Sequence, residues 1–221
     1  MGIALTSQDA KITLGPKESC HFVSHDLRNQ PQELFDKLIQ MHEFDVNAPT
    51  LFALECVQMY LPETNSRSLL KHITSTCKNA LLVLYDPILS QDPFGMVMEQ
   101  NLTKAGIANP SLSMMQTRNL PQQVKKLLDC GFTTVTGCDM VAAYDTVLTS
   151  AQRQHANRCE RLDELEEWWL IMRHYAFVVA GNNNDAAASS YCGVPSSPVG
   201  FEKGKCTSTT QSEFKYHNLS R

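Results

Sequence analysis

Glu55 is the residue of this 221-residue chain whose type and setting most invite chemistry. It follows Thr50-Leu51-Phe52-Ala53-Leu54, an apolar run after Pro49 that reads as a central strand covered on both faces of a parallel sheet. A charge at the end of such a strand is costly to bury without a partner. Cys56, Val57 and Tyr60 follow, just before Leu61-Pro62. Ligands of open α/β sheets sit beyond the carboxyl ends of the strands, so the segment from Glu55 to Tyr60 is placed for a site. The same glutamate would serve equally as a strand-end carboxylate in an ion pair. Asp26 is the second well-placed acid, closing a candidate strand in Asp26-Leu27-Arg28; by residue type it is a ligand acceptor or the cap of a helix beginning near Pro31. Cys20, His21, His25 and Asp26 cluster, but on extended backbone their side chains alternate between faces, and no metal site is expected there. No Ser-His-Asp triad or paired-carboxylate arrangement stands out.

The elements that must carry these residues follow from periodicity. Residues 1–19 are weakly patterned, with a turn at Gly15-Pro16, and His21 to His25 reads as a brief strand. Asn29 and Pro31 open a helix in which Leu34, Phe35, Leu38, Ile39 and His42 recur at helical spacing. The strand at Thr50 comes next, then a helix turning Leu69, Leu70, Ile73 and Cys77 inward, then an apolar strand from Ala80 to Tyr85. Strand, helix, strand, helix, strand predicts crossovers and a parallel sheet. Asp92-Pro93 starts a helix with Phe94, Met98 and Leu102 on one face, and another spans Pro121 to Cys130. Phe132 to Cys138 reads as a strand, Asp139 caps a helix through Met140, Tyr144 and Leu148, and Ala151 to Glu160 is polar and helical. Leu165, Trp168, Trp169 and Met172 mark an amphipathic helix leading to a last buried strand, Tyr175 to Ala180. From Gly181 the composition turns to Asn, Ala, Ser, Thr and Gly, which cannot bury enough surface to offset chain entropy, so a disordered tail over 181–221 is expected. The chain divides into segments 1–19, 20–180 and 181–221.

A net charge of −4 and the lack of a long basic run argue against nucleic acid as partner. No stretch approaches the apolar length of a membrane span, no secretory signal opens the chain, and the eight cysteines are scattered without a Cys-x-x-Cys pair. A cytoplasmic protein with reduced cysteines is expected. Met1-Gly2 with Thr6 fits the short myristoylation pattern, and one acyl chain anchors only marginally.

Several pieces taken in order resemble one family. Asp26-Leu27-Arg28, Pro49-Thr50-Leu51 leading to Glu55-Cys56-Val57 and Tyr60-Leu61, Asp92 with Phe94-Gly95, Glu99-Asn101-Leu102, Asp139-Met140 with Tyr144, Leu162-Asp163-Glu164-Leu165 and Met172-Arg173-His174-Tyr175 look like leucine carboxyl methyltransferase, over residues 21–180. The resemblance implies an α/β fold with the Rossmann-like sheet of class I S-adenosylmethionine-dependent methyltransferases. Its strand order is third, second, first, fourth, fifth, seventh, sixth. It also implies S-adenosylmethionine as cofactor and the C-terminal leucine carboxylate of the protein phosphatase 2A catalytic subunit as substrate. By the same resemblance Asp26 and Leu27 would lie against the adenine, Glu55 beside the cofactor at the strand end, and Tyr60 toward the substrate carboxylate. Such a reaction asks little of the protein: a C-terminal carboxylate, pKa about 3.3–3.7, is already ionised at neutral pH and needs no general base.

The glycine-rich turn and acidic ribose ligand of that family have no equivalent before Asp26, so the sheet is expected to lack its first two strands and the chain to look incomplete at its N-terminal side. The chain on its own is then expected to bind S-adenosylmethionine at millimolar strength at best, with open flanks on the strands at 21 and 50. Two other readings stay open: the sibling methyltransferase that acts on the wybutosine base of transfer RNA, and a non-catalytic interaction module derived from the fold.

Overall fold

The computed structural model describes residues 3–5, 10–15, 18–160, 162–182 and 200–202. The first three strands, β1 (Ile3–Leu5), β2 (Ala10–Gly15) and β3 (Glu18–Phe22), form an antiparallel sheet in that order. They run through the segment read above as weakly patterned, because three short strands pair locally without needing a long apolar stretch. The strand expected over His21 to His25 ends at Phe22, and it belongs to this small sheet and not to the main one. Helix α1 (Pro31–His42) follows, with Pro31 at its first turn; Gln30, not Asn29, holds the cap position and makes no side-chain cap bond.

The main sheet begins with β4 (Thr50–Glu55), whose end passes into a 3-10 turn (Gln58–Tyr60) and then α2 (Glu63–Thr76) and β5 (Ala80–Pro87). Strands β4 and β5 pair in parallel, as the helix between them requires. Helix α2 buries Leu69, Leu70, Ile73 and the following Cys77, the face its spacing predicts. Beyond β5 come α3 (Pro93–Lys104), a one-turn α4 (Ser113–Gln116), α5 (Leu120–Asp129) and β6 (Thr134–Asp139). Helices α6 (Met140–Thr146), α7 (Ser150–Cys159) and α8 (Leu165–Met172) lead to β7 (Tyr175–Gly181). Strand β8 (Gly200–Glu202) pairs with β6. The expected disorder of 181–221 otherwise concerns residues outside those described, as do the myristoylation residues Met1, Gly2 and Thr6 and the turn residue Pro16.

The five strands lie in the order β4-β5-β7-β6-β8. Strand β7 inserts between β5 and β6, antiparallel to both, so the sheet is mixed and not purely parallel. Its first four strands reproduce the fourth, fifth, seventh, sixth order of a Rossmann-like methyltransferase sheet. Among the described residues β4 pairs with β5 alone, and this corrects the expectation of a central strand covered on both faces. Exposure alternates along it, with Leu51 61% exposed. One face of the strand is covered because Phe52 stacks on Phe35 of α1, ring centroids 6.4 Å apart. The open flank of β4 was expected; its apolar composition had read instead as two-sided burial.

The core gathers Phe35, Leu70, Ile73, Leu82, Leu127, Phe132 and Val178, all nearly inaccessible, between α1, α2, α5 and the sheet. Each such side chain contributes about 1.5–3 kcal/mol of burial. A second cluster, Met59, Leu89, Ala108, Leu112 and Met114, lies beneath the 3-10 turn and is joined by Met98 and Leu102 of α3. Leu165, expected on the inner face of α8, is 52% exposed.

Candidate functional site

The end of β4 is built as a sharp corner. Cys56 adopts φ +52°, the left-handed region that non-glycine residues enter at a cost of about 1 kcal/mol. Its N–H is fixed by the Tyr85 carbonyl at 2.7 Å, the last rung of the parallel ladder. That corner lifts Glu55 to the sheet's rim, where it is exposed and, among the described residues, makes no hydrogen bond or ion pair. The Cys56 thiol is pushed up by burial and by the carboxylates of Asp86 and Glu55, so it stays protonated and is no nucleophile.

Tyr60 closes the 3-10 turn and is 53% exposed, with its neighbours Gln58 and Met59 buried. Tyr85 and Tyr175 stack beside it, centroids 5.0 Å apart and nearly parallel. Burial raises both phenols; after burial, Tyr175 is affected by Cys56 and Tyr60, and Tyr85 by Tyr175, Cys56 and Glu55. The fold thus brings together Glu55, Cys56, Tyr60, Tyr85 and Tyr175 at the carboxyl end of β4 and β5. Tyr85 and Tyr175 were legible in sequence only as strand-end residues, since their stacking depends on β7 lying beside β5.

Asp26 is placed less simply. Its carboxylate takes a two-pronged ion pair from Arg28, with Nη2 to Oδ2 at 2.6 Å and Nε to Oδ1 at 2.9 Å, and also accepts the Arg28 backbone N–H at 2.9 Å. Those hydrogen bonds hold its pKa down to about 2. The bonds form a local turn, so Asp26 does not cap α1. Leu27 packs on the main core, and the Arg28 carbonyl accepts from Asn65 Nδ2 at 2.6 Å, which ties this loop to the first turn of α2. The loop therefore sits against the helix that leaves the Tyr60 turn.

The remaining motif residues are joints. Asp92 caps α3 through the Gly95 N–H at 2.8 Å, and His174 Nε2 meets the same carboxylate at 3.0 Å. Phe94 leans on the His174 ring at 4.4 Å. Glu99 is ion-paired with Arg118, and Tyr144 meets Trp168 edge-on at 5.1 Å. Asp139 caps α6 through the Ala142 N–H. A buried polar cluster around Lys126, beneath the 3-10 turn, went unread in the sequence, where a lysine in an amphipathic helix gives no sign of being buried.

S-adenosylmethionine, implied by the fold, can be tested against these groups. The Glu55 carboxylate, without a partner among the described residues, and the half-buried Leu27 fit as acceptor and apolar contact. Asp26 fits an adenine amine only where Arg28 gives up part of its hold. Among the described residues no group of three or more His, Cys, Asp or Glu could hold a metal ion, and no helix is long and apolar enough to cross a membrane.

Comparisons with known proteins agree with this architecture. Residues 6–74 match the family model described as leucine carboxyl methyltransferase. The chain is 34% identical over 134 residues to leucine carboxyl methyltransferase 1 of Yarrowia lipolytica, covering 61% of this chain and 41% of that protein. It is 32% identical over 175 residues to the probable leucine carboxyl methyltransferase 1 of Caenorhabditis briggsae, covering 79% and 51%. The human tRNA wybutosine-synthesizing protein 4 is 30% identical over 131 residues, 59% of this chain and 19% of that protein. The matches span about half or less of the length of these relatives. Strand order, motif joints and matched segments converge: this chain is similar to the leucine carboxyl methyltransferase family over part of those proteins' length.

Proposed function

We infer that the protein takes part in S-adenosylmethionine-dependent methylation of a C-terminal leucine carboxylate, that of the protein phosphatase 2A catalytic subunit. The observation that carries this reading is the strand-end corner, where a Glu55 carboxylate without a partner among the described residues and an exposed Tyr60 flank a half-buried, stacked tyrosine pair in a chain similar to leucine carboxyl methyltransferases. When bound, the cofactor supplies an electrophilic methyl group on a sulfonium. Glu55 and Leu27 would hold it, by hydrogen bond and by apolar contact. Tyr60 donates its hydroxyl to the substrate carboxylate and holds it in line, and the Tyr85–Tyr175 pair shields the site from water. No proton is abstracted, because the nucleophile is already an anion.

The test is transfer of labelled methyl to a leucine-ended peptide as a base-labile ester, using the protein as its own cells make it. Glu55→Ala should weaken cofactor binding by up to about 1.5–3 kcal/mol, the worth of a hydrogen bond to a charged group. Tyr60→Phe should raise the peptide KM more than the cofactor KM. Equal effects on both would mark Tyr60 as structural, and no ester with any leucine-ended peptide would overturn the reading. The relatedness to wybutosine-synthesizing proteins makes transfer RNA the competing substrate, and methylation of RNA in place of peptide would favour that function.

A further inference from the structure

We propose that Asp86 and Lys126 are positioning residues for the candidate substrate site: from beneath, they hold the Gln58–Tyr60 turn at the place from which Tyr60 reaches the substrate. This rests on the reading of Tyr60 as the residue that meets the leucine carboxylate.

Two buried ionisable groups lie under the turn. Asp86, near the end of β5 and 5% exposed, lines the cavity under the turn with Met59, whose backbone N–H favours the ionised carboxylate, and its Oδ1 has no hydrogen-bond partner among the described residues. Lys126 of α5, 4% exposed, reaches the Gln58 side-chain oxygen at 3.4 Å. The same ammonium donates to Ser113 Oγ at 2.6 Å and to Glu63 Oε2 at 3.0 Å, and it is bonded to Ser66, whose hydroxyl is bonded to Gln58. Gln58, Asp86, Ser113 and Lys126 line one small cavity with Met59 and Gln123.

Burying an ammonium and a carboxyl group to hold a three-residue turn is expensive, since apolar groups of similar volume are often at least as stabilising. A merely structural floor under the turn could have been built from the leucines and methionines that already surround it. What the polar groups supply is direction: Lys126 and Ser66 fix the Gln58 side chain by hydrogen bonds and the Asp86 carboxyl faces the Met59 N–H, and with them the residue that follows, whereas apolar packing would let the turn slide. Tyr60 itself is 53% exposed, so packing on its own ring does little to orient it.

The experiment uses the 221-residue chain and three variants, Asp86→Asn, Asp86→Leu and Lys126→Met. Amide hydrogen exchange over Gln58–Leu61 is compared with exchange in β5 and β7. Asp86→Asn keeps an acceptor for the Met59 N–H, and its turn should stay protected. In Asp86→Leu and Lys126→Met the turn amides should exchange at least tenfold faster than in the parent while those of Val83 and Val179 keep their protection. Equal protection of the turn in all four proteins overturns the proposal. Should Asp86→Leu not fold, the comparison of Lys126→Met with the parent decides it in the same way. A second measurement, binding of a leucine-ended peptide, separates this from the functional reading. Affinity lowered at least fivefold in Lys126→Met, with S-adenosylmethionine affinity unchanged, supports the positioning role; a loosened turn with undiminished peptide affinity overturns it. Tyr60→Phe with unaltered peptide affinity, against an exchange pattern as expected here, would instead overturn the assignment of Tyr60.

Discussion

Asp86 carries the largest electrostatic strain among the described carboxyl groups. Burial raises its pKa from 3.8 to about 7, only partly opposed by the Lys126 charge and the Met59 N–H. The folded state therefore keeps a proton that the unfolded chain releases near pH 4. Through this group, stability is undiminished below about pH 4, falls as pH rises toward 7, and stays reduced above it. The shift corresponds to a few kcal/mol, at most about 4. Asp86→Asn should match the parent near pH 4 and exceed it by that amount at pH 8, read from urea midpoints; a constant difference across the range would refute the burial of a titrating Asp86. Gly95 is constrained in another way. A Cβ there would collide with the Ser90 carbonyl oxygen, a clash that must move backbone. Gly95→Ala should cost about 1–3 kcal/mol in denaturant unfolding and disturb the Asp92–His174 joint, whereas a cost below about 0.5 kcal/mol would show that the corner yields freely.

At the scale of elements, the corner between β4 and the 3-10 turn concentrates the site's geometry. Cys56 sits at φ +52° with its N–H locked to Tyr85. A β-branched residue tolerates that conformation worst, and glycine best. Cys56→Val should therefore destabilise by about 1–2 kcal/mol, while Cys56→Gly should lie within about 1 kcal/mol of the parent, because relief of strain is offset by greater freedom of the unfolded chain. Thermal unfolding of the two variants checks this, and an equal loss in both would mean that the thiol's packing, and not the backbone, matters at the corner.

For the whole molecule, the open flank of β4 is the dominant feature. The amides of Thr50 and Cys56 turn toward the β5 side, so those of Leu51, Ala53 and Glu55 face away, and among the described residues nothing pairs with them. An uncovered strand edge bearing an exposed leucine is a template for association. The chain should show an average mass that rises with concentration in sedimentation experiments, and Leu51→Lys should lower that mass at equal concentration without lowering the unfolding midpoint by more than about 0.5 kcal/mol in free energy. A chain that stays monomeric at high concentration would show the edge to be protected.

Local residue patterns were sufficient to read α2, α3, β5, β6 and β7, because each carries its own period, cap or apolar run: Leu69, Leu70 and Ile73 on one helical face, Asp92 and Asp139 as caps, Ala80 to Tyr85 as a strand. They were sufficient, too, for the family likeness and for Glu55 and Tyr60 as members of one strand-end segment. Composition could not tell that one face of β4 is exposed, since burial depends on what packs against a strand and Leu51 reads alike in either setting. Nor could it show Arg28 closing on Asp26, Tyr85 stacking on Tyr175, or Lys126 buried against Glu63, Ser66 and Ser113. Arg28 is near Asp26 in sequence, but their pairing depends on side-chain geometry. Tyr85 and Tyr175 meet through β7's return between β5 and β6, and Lys126 meets its partners through the packing of α5 under the turn; such long-range pairings are decided by tertiary structure alone.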